Sequence, residues 1–127
     1  MPTVLLVDDE LKFRETTSKR LKMRGYENIA LSSGEEVLKT IRRHDDIDVV
    51  VLDRKMPGMS GEQVLKEIKH FRPELQVIML TGYASMESAV ESGKLDAYAY
   101  LEKPCRLEKL ISVIEEARRD KPLAMEK

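Results

Sequence analysis

The hydrophobic positions of the chain fall into five short clusters: Val4 to Val7, Ile29 to Leu31, Val49 to Leu52, Val77 to Leu80 and Ala97 to Leu101. Charged stretches with helical spacing separate them, which predicts five strands alternating with helices. The first, third and fourth clusters are nearly continuous in Val, Ile, Leu and Met. Strands covered by helices on both faces need such runs, whereas a half-exposed strand would alternate. A parallel sheet follows. Helical period is plainest in Val64, Leu65, Ile68 and Phe71 and in Leu107, Leu110, Ile111 and Ile114. The pattern is therefore (βα)₅, an α/β sandwich of three layers.

Several boundaries can be read in the same way. Ser33 with Glu36, and Ser60 with Gln63, have capping-box form, in which side chains satisfy the unpaired backbone donors of a helix start. Gly25 suits a left-handed turn after the first helix. That helix is unusual, because Thr16, Thr17 and Arg20 fall where larger apolar groups belong. Phe13 and Leu21 are left as its anchors.

Composition narrows the class. A chain of 127 residues fits one domain, and area scaling lets a chain of this mass bury about two-thirds of its unfolded surface without staples. Residues 1–120 read as that domain, and 121–127 as a tail or the start of a linker, broken by Pro122. With 42% hydrophobic residues, 35% charged residues and a net charge of −1, the chain lacks the basic footprint of a nucleic-acid binder. No apolar run approaches a membrane span, and the start lacks the form of a signal peptide, so no membrane insertion and a cytoplasmic location are expected. Cys105 is the only cysteine, which excludes an internal disulfide and a cysteine-based zinc site.

The chemistry concentrates where such folds hold ligands, at the carboxyl ends of the strands beside the point where strand order reverses. Asp8 and Asp9 follow the first strand, Asp53 the third, Thr81 the fourth and Lys103 the fifth. Any one of these could be a turn or cap residue. Together they form a constellation. Two unit charges about 6 Å apart at an effective dielectric near 20 repel by roughly 2.8 kcal/mol, so three carboxylates at one spot require a cation. A site of oxygen ligands that leaves room for water and phosphate suits Mg²⁺. Lys103 and Thr81 add a positive charge and a hydroxyl donor suited to a phosphoryl group, and Asp53 is the candidate nucleophile.

These residues lie in four motifs: Val7-Asp8-Asp9-Glu10, Asp53-Arg54-Lys55-Met56-Pro57-Gly58-Met59-Ser60-Gly61, Leu80-Thr81-Gly82, and Tyr100-Leu101-Glu102-Lys103-Pro104. In these segments the chain resembles a two-component response regulator receiver domain of the CheY-like kind, from about Thr3 to Arg118. The resemblance implies a flavodoxin-like sheet in strand order 2-1-3-4-5 and a phosphorelay switch that is not a turnover enzyme. It implies that Asp53 takes a phosphoryl group from the phosphohistidine of a sensor histidine kinase or histidine phosphotransfer protein, with Mg²⁺ as cofactor. Asp8, Asp9 and Asp53 match the metal ligands, with Lys55 contributing its backbone carbonyl. Thr81 and Lys103 match the groups that close onto the phosphoryl, and Tyr100 the aromatic that follows the threonine. Lys55 and Tyr83 stand where family members tune the phosphorylated lifetime. The changed surface is expected on the fourth helix, fifth strand and fifth helix, facing a downstream protein or a C-terminal effector domain absent from this chain. Homodimerisation on phosphorylation is a further expectation.

Departures from the family pattern are local. Asp96 replaces a glycine common at the end of the fourth helix, and Pro104 fits the cis Lys-Pro bond common in the family. Cys105 and Arg106 remove the usual cap of the last helix, and Cys105 reads as a small apolar group rather than an activated thiol. His44 and His70 read as solvated groups at helix ends, Lys66 to Lys69 as a wet helical face, and Met56 to Met59 as loop packing. The segments around Thr81 and Lys103 look like those of receivers attached to AAA-type transcriptional activators. Three rival functions stand beside this one. An aspartyl-phosphate hydrolase lacks its second acid, because Lys55 stands there. A flavin or nucleotide module lacks a phosphate-cradling loop. A degenerate receiver acting only as a protein-binding module keeps the fold without the chemistry.

Overall fold

A computed structural model describes residues 2–56, 58–82 and 97–120. The elements are β1 (Thr3–Val7), α1 (Leu11–Met23), β2 (Glu27–Leu31), α2 (Glu35–Arg43), β3 (Val49–Asp53), α3 (Gly61–Phe71), β4 (Gln76–Thr81), β5 (Ala99–Glu102) and α4 (Leu107–Arg119). Here α4 is the fifth helix of the expected pattern. The helix expected between the fourth and fifth strands, with Tyr83 and Asp96, lies outside the described residues.

All pairings are parallel and the order is β2-β1-β3-β4-β5, as the resemblance implied. The continuous apolar runs resolve into two cores because successive side chains point to opposite faces. Val4, Leu6, Val49, Val51, Ile78 and Leu80 face α1 and α4, meeting Leu21, Leu110, Val113 and Ile114. Leu5, Val7, Val50, Leu52, Val77 and Met79 face α2 and α3, meeting Val37, Ile41, Val64, Leu65 and Ile68. Each such buried side chain contributes about 1.5–3 kcal/mol of transfer free energy. β2 lies at a sheet edge and is only partly buried, which explains its weak hydrophobic signal.

Local expectations meet mixed outcomes. Ser60 and Gln63 form the full capping box of α3. Ser33 does not cap α2: its hydroxyl donates to the Glu36 carboxylate, while Gly34 occupies the cap position. Gly25 takes the left-handed conformation with φ +91, and Arg106 precedes α4 without a side-chain cap. Within α1 the inner stripe is narrower than the sequence suggests. Thr17 and Leu21 are buried and Phe13 is half-buried, but Thr16 and Arg20 face solvent. The run Lys66 to Lys69 is only partly a wet face of α3: Ile68 is buried in the core, and Lys69 Nζ donates to the carbonyls of Pro73 and Leu75. Arg72 closes the end of α2 by donating to the carbonyls of Ile41 and His44, which leaves His44 and His70 as exposed helix-end groups.

Candidate functional site

Parallel register carries the candidate residues to one edge. Val7 is paired with Leu52 and Asp53 with Leu80, so Asp8, Asp53 and Thr81 leave the sheet side by side at adjoining strand ends. Thr81 is in turn paired with Glu102, which sets Lys103 at the same edge. The Lys103 backbone N–H donates to the Thr81 carbonyl at 2.8 Å, and that of Arg54 to the Leu80 carbonyl at 2.8 Å. The Lys103-Pro104 bond is cis.

The carboxylates converge. Oxygens of Asp8, Asp9 and Asp53 lie within 4.8 Å of one another. Asp8 is fully buried, Asp53 nearly so, and Asp9 exposed. The Asp8 carboxylate accepts from the Glu10 N–H on one oxygen and from Lys103 Nζ, at 2.9 Å, on the other. Arg14 donates to the Asp8 carbonyl at 2.8 Å, tying α1 to the end of β1. Lys103 Nζ also stands 3.8 Å from Asp53 and 3.8 Å from Glu10.

One ammonium does not neutralise this cluster. Burial, followed by the charge of Asp8, pushes the Asp53 carboxyl up to about 6, against relief from Lys103 and from the backbone N–H of Lys55. Burial works against the Lys103 ammonium, but the bond with Asp8 and the charges of Asp53, Asp8 and Glu10 outweigh it and raise its pKa. The residues present therefore fit a hard divalent cation: clustered oxygen donors, excess negative charge, and an exposed side at Asp9 for water.

Of the other candidates, Thr81 is buried and its hydroxyl reaches the Gly82 carbonyl at 3.2 Å. Tyr100 is half-buried and packs against the core on the α2–α3 side of the sheet. The Lys55 side chain is exposed, and Tyr83 lies outside the described residues. Cys105 is half-buried and burial raises its thiol pKa, so it is not activated.

Three neighbours of the site are not marked as such by the sequence. Phe13 lies under Lys103, with its ring centroid 4.6 Å from Nζ. Arg14 braces Asp8, and the Arg54 side chain pairs with Glu62 at the start of α3. Helical spacing marked Phe13 as apolar. Nothing local marked its partner 90 positions away.

The chain belongs to the response regulator receiver domain family, whose family model matches residues 4–115. It is 36% identical over 111 residues to Response regulator protein FleR of Pseudomonas aeruginosa, covering 87% of this chain and 23% of FleR. The chain spans about a quarter of the length of the curated relatives it matches. A response regulator receiver domain protein from Clostridium thermocellum has a TM-score of 0.89 at 34% identity, covering 95% of this chain and 97% of that one. Response regulator protein TrrA of Thermotoga maritima, solved in complex with Mg(2+)-BeF, has a TM-score of 0.81 at 33% identity, covering 92% and 99%. The family is one of two-component signalling modules, and among the described residues no helix is long and apolar enough to cross a membrane.

Proposed function

We propose that Asp53 is the phosphoacceptor of a cytoplasmic phosphorelay switch and that Asp8, Asp9, Asp53 and the Lys55 carbonyl hold Mg²⁺ for the transfer. The observation that carries this reading is the convergence of Asp8, Asp9 and Asp53 with Lys103 placed between Asp8 and Asp53. A relative 33% identical is described with Mg(2+)-BeF, which supports the same cofactor here.

In the transfer, an Asp53 oxygen attacks the phosphorus of a phosphohistidine. The P–O bond forms as the P–N bond breaks, and the imidazole leaves with the electron pair. Bound Mg²⁺ would neutralise the charge of the incoming phosphoryl oxygens. Burial protects Asp53 from competing water, Lys103 offers donors to a phosphoryl oxygen, and the Thr81 hydroxyl would turn from the Gly82 carbonyl to donate to another. Tyr100 would then adjust its packing and carry the change to the face around β5, where a downstream protein or an effector domain would read it. Relatives about four times longer than the match support an attached output domain. Lys55 and Tyr83 would set how long the phosphoryl group survives.

Intact-mass spectrometry after incubation with Mg²⁺ and acetyl phosphate tests the reading. A single phosphoryl gain in the wild type and none in Asp53→Ala is expected. No gain from acetyl phosphate or from a phosphorylated histidine donor would leave a degenerate receiver that works by binding alone.

A further inference from the structure

We infer that Phe13 is a positioning residue for Lys103, its ring face seating the ammonium at the mouth of the acidic site. The inference rests on the phosphoacceptor reading of Asp53. Lysine is a point charge on a flexible four-carbon stem, and its donors do not preorganise themselves. Here Nζ has one close partner, Asp8 at 2.9 Å, while Asp53 and Glu10 both stand at 3.8 Å. Asp53 is buried in the site, whereas the Glu10 side chain is 66% exposed on the rim. An unconstrained ammonium could lean toward either.

The Phe13 ring restricts that freedom. At 4.6 Å from the centroid, Nζ lies within the roughly 6 Å over which a cation is attracted to an aromatic face. Phe13, Glu10 and Lys103 share the wall of a groove of about 600 Å³ between α1 and the start of α4. The ring therefore covers the ammonium on a side that groove water would otherwise reach. Its own place is set by the same aspartate that holds Lys103. Asp8 accepts from the Glu10 N–H and, through its carbonyl, from Arg14, and these two bonds fix the first turn of α1, where Phe13 sits. One buried aspartate thus locates both the cation and the aromatic face that seats it.

The test replaces Phe13 by a graded fluorinated phenylalanine series, which weakens the ring quadrupole with little change of shape, alongside Phe13→Leu and Phe13→Tyr. Acetyl phosphate phosphorylation should slow stepwise along the series and by roughly threefold to tenfold in Phe13→Leu, with Phe13→Tyr close to wild type. Rates that are flat across the fluorinated series would overturn the inference, whether or not Phe13→Leu is slow, since a packing role alone predicts that result. NMR of the Lys103 ε-methylene in the unphosphorylated protein gives a second, independent reading. Its ring-current shift should vanish in Phe13→Leu, and an unmoved resonance would show that the seat does not exist. If wild type gains no phosphoryl group from acetyl phosphate or from a phosphorylated histidine donor while the ring-current shift is present, the phosphoacceptor reading fails and the seat stands.

Discussion

Lys103 Nζ lies 2.9 Å from Asp8 and 3.8 Å from Asp53, so the only ammonium within salt-bridge distance of these two carboxylates, among the described residues, favours the one that the proposed chemistry does not phosphorylate. The second carboxylate is left buried and undercompensated. The response of the site to pH and to Mg²⁺ follows from that asymmetry.

The Asp53 carboxyl has its pKa raised above the ordinary 3.8 to about 6. A group with a raised pKa binds more protons in the folded state, so its stabilising effect is complete below pH 3.8 and disappears as pH rises through about 6. The change amounts to roughly 2–3 kcal/mol. Metal-free wild type should therefore lose stability over this window relative to Asp53→Asn, and Mg²⁺ at neutral pH should stabilise wild type more than the variant. Parallel urea titrations across pH 4 to 7 decide the point. Identical pH profiles for the two proteins would refute it.

Removing Lys103 should be costly in a way that Mg²⁺ can repair. Lys103→Met keeps much of the stem but strands Asp8 and Asp53 without their cation, a loss of about 3 kcal/mol for a broken buried pair. Addition of Mg²⁺ should recover a larger share of the melting temperature in Lys103→Met than it adds to wild type. A variant as stable as wild type without metal would mean that the pair contributes nothing.

Gly61 is needed for a close approach. A Cβ there would lie 2.6 Å from Arg54 Cα and 2.7 Å from the Asp53 carbonyl oxygen, both rigid backbone. Its N–H also donates to the Arg54 carbonyl at 2.8 Å. Gly61→Ala should cost about 1–3 kcal/mol by overpacking and should slow phosphorylation by displacing Asp53. Thermal unfolding and the intact-mass assay together read both effects, and a variant normal in each would show that this contact is soft.

The two serines of similar sequence context should behave differently. Ser60→Ala removes a formed capping box and should cost about 1 kcal/mol. Ser33→Ala breaks only an exposed 3.3 Å bond to Glu36 and should change stability by less than about 0.5 kcal/mol. Equal losses in denaturant midpoints would contradict the different cap geometries.

At the far end of α4, Tyr26 donates to Glu115, and burial together with that bond pushes its pKa up to about 12. The stability that this group supplies is complete below pH 10 and is lost as pH rises through about 12. Absorbance titration should show a phenol titrating near pH 12 in wild type that is missing in Tyr26→Phe. Unfolding curves of the variant should also fall less steeply above pH 10.

The fold was legible in the chain because its cause is repetitive and local. Apolar runs such as Val49 to Leu52 declare strands buried on both faces, and Leu107, Leu110, Ile111 and Ile114 declare a helix lying on a sheet. The candidate site was legible for a related reason: a parallel sheet brings strand ends together, so Asp8, Asp53, Thr81 and Lys103 could be assembled from register alone. Composition and spacing do not carry the outcome of competition between neighbours. Ser33 lost the cap of α2 to Gly34 once its hydroxyl turned to Glu36, and Thr17 rather than Thr16 reached the core because the seat of α1 selects one stripe. Which carboxylate Lys103 favours, and that Phe13 lies beneath it, depend on side chains up to 95 positions apart meeting in a desolvated corner. Periodicity determined where the strands and helices run. Only the packed tertiary structure decided how charge, burial and an aromatic face divide the work at the site, because each of those energies depends on distances that the linear chain does not contain.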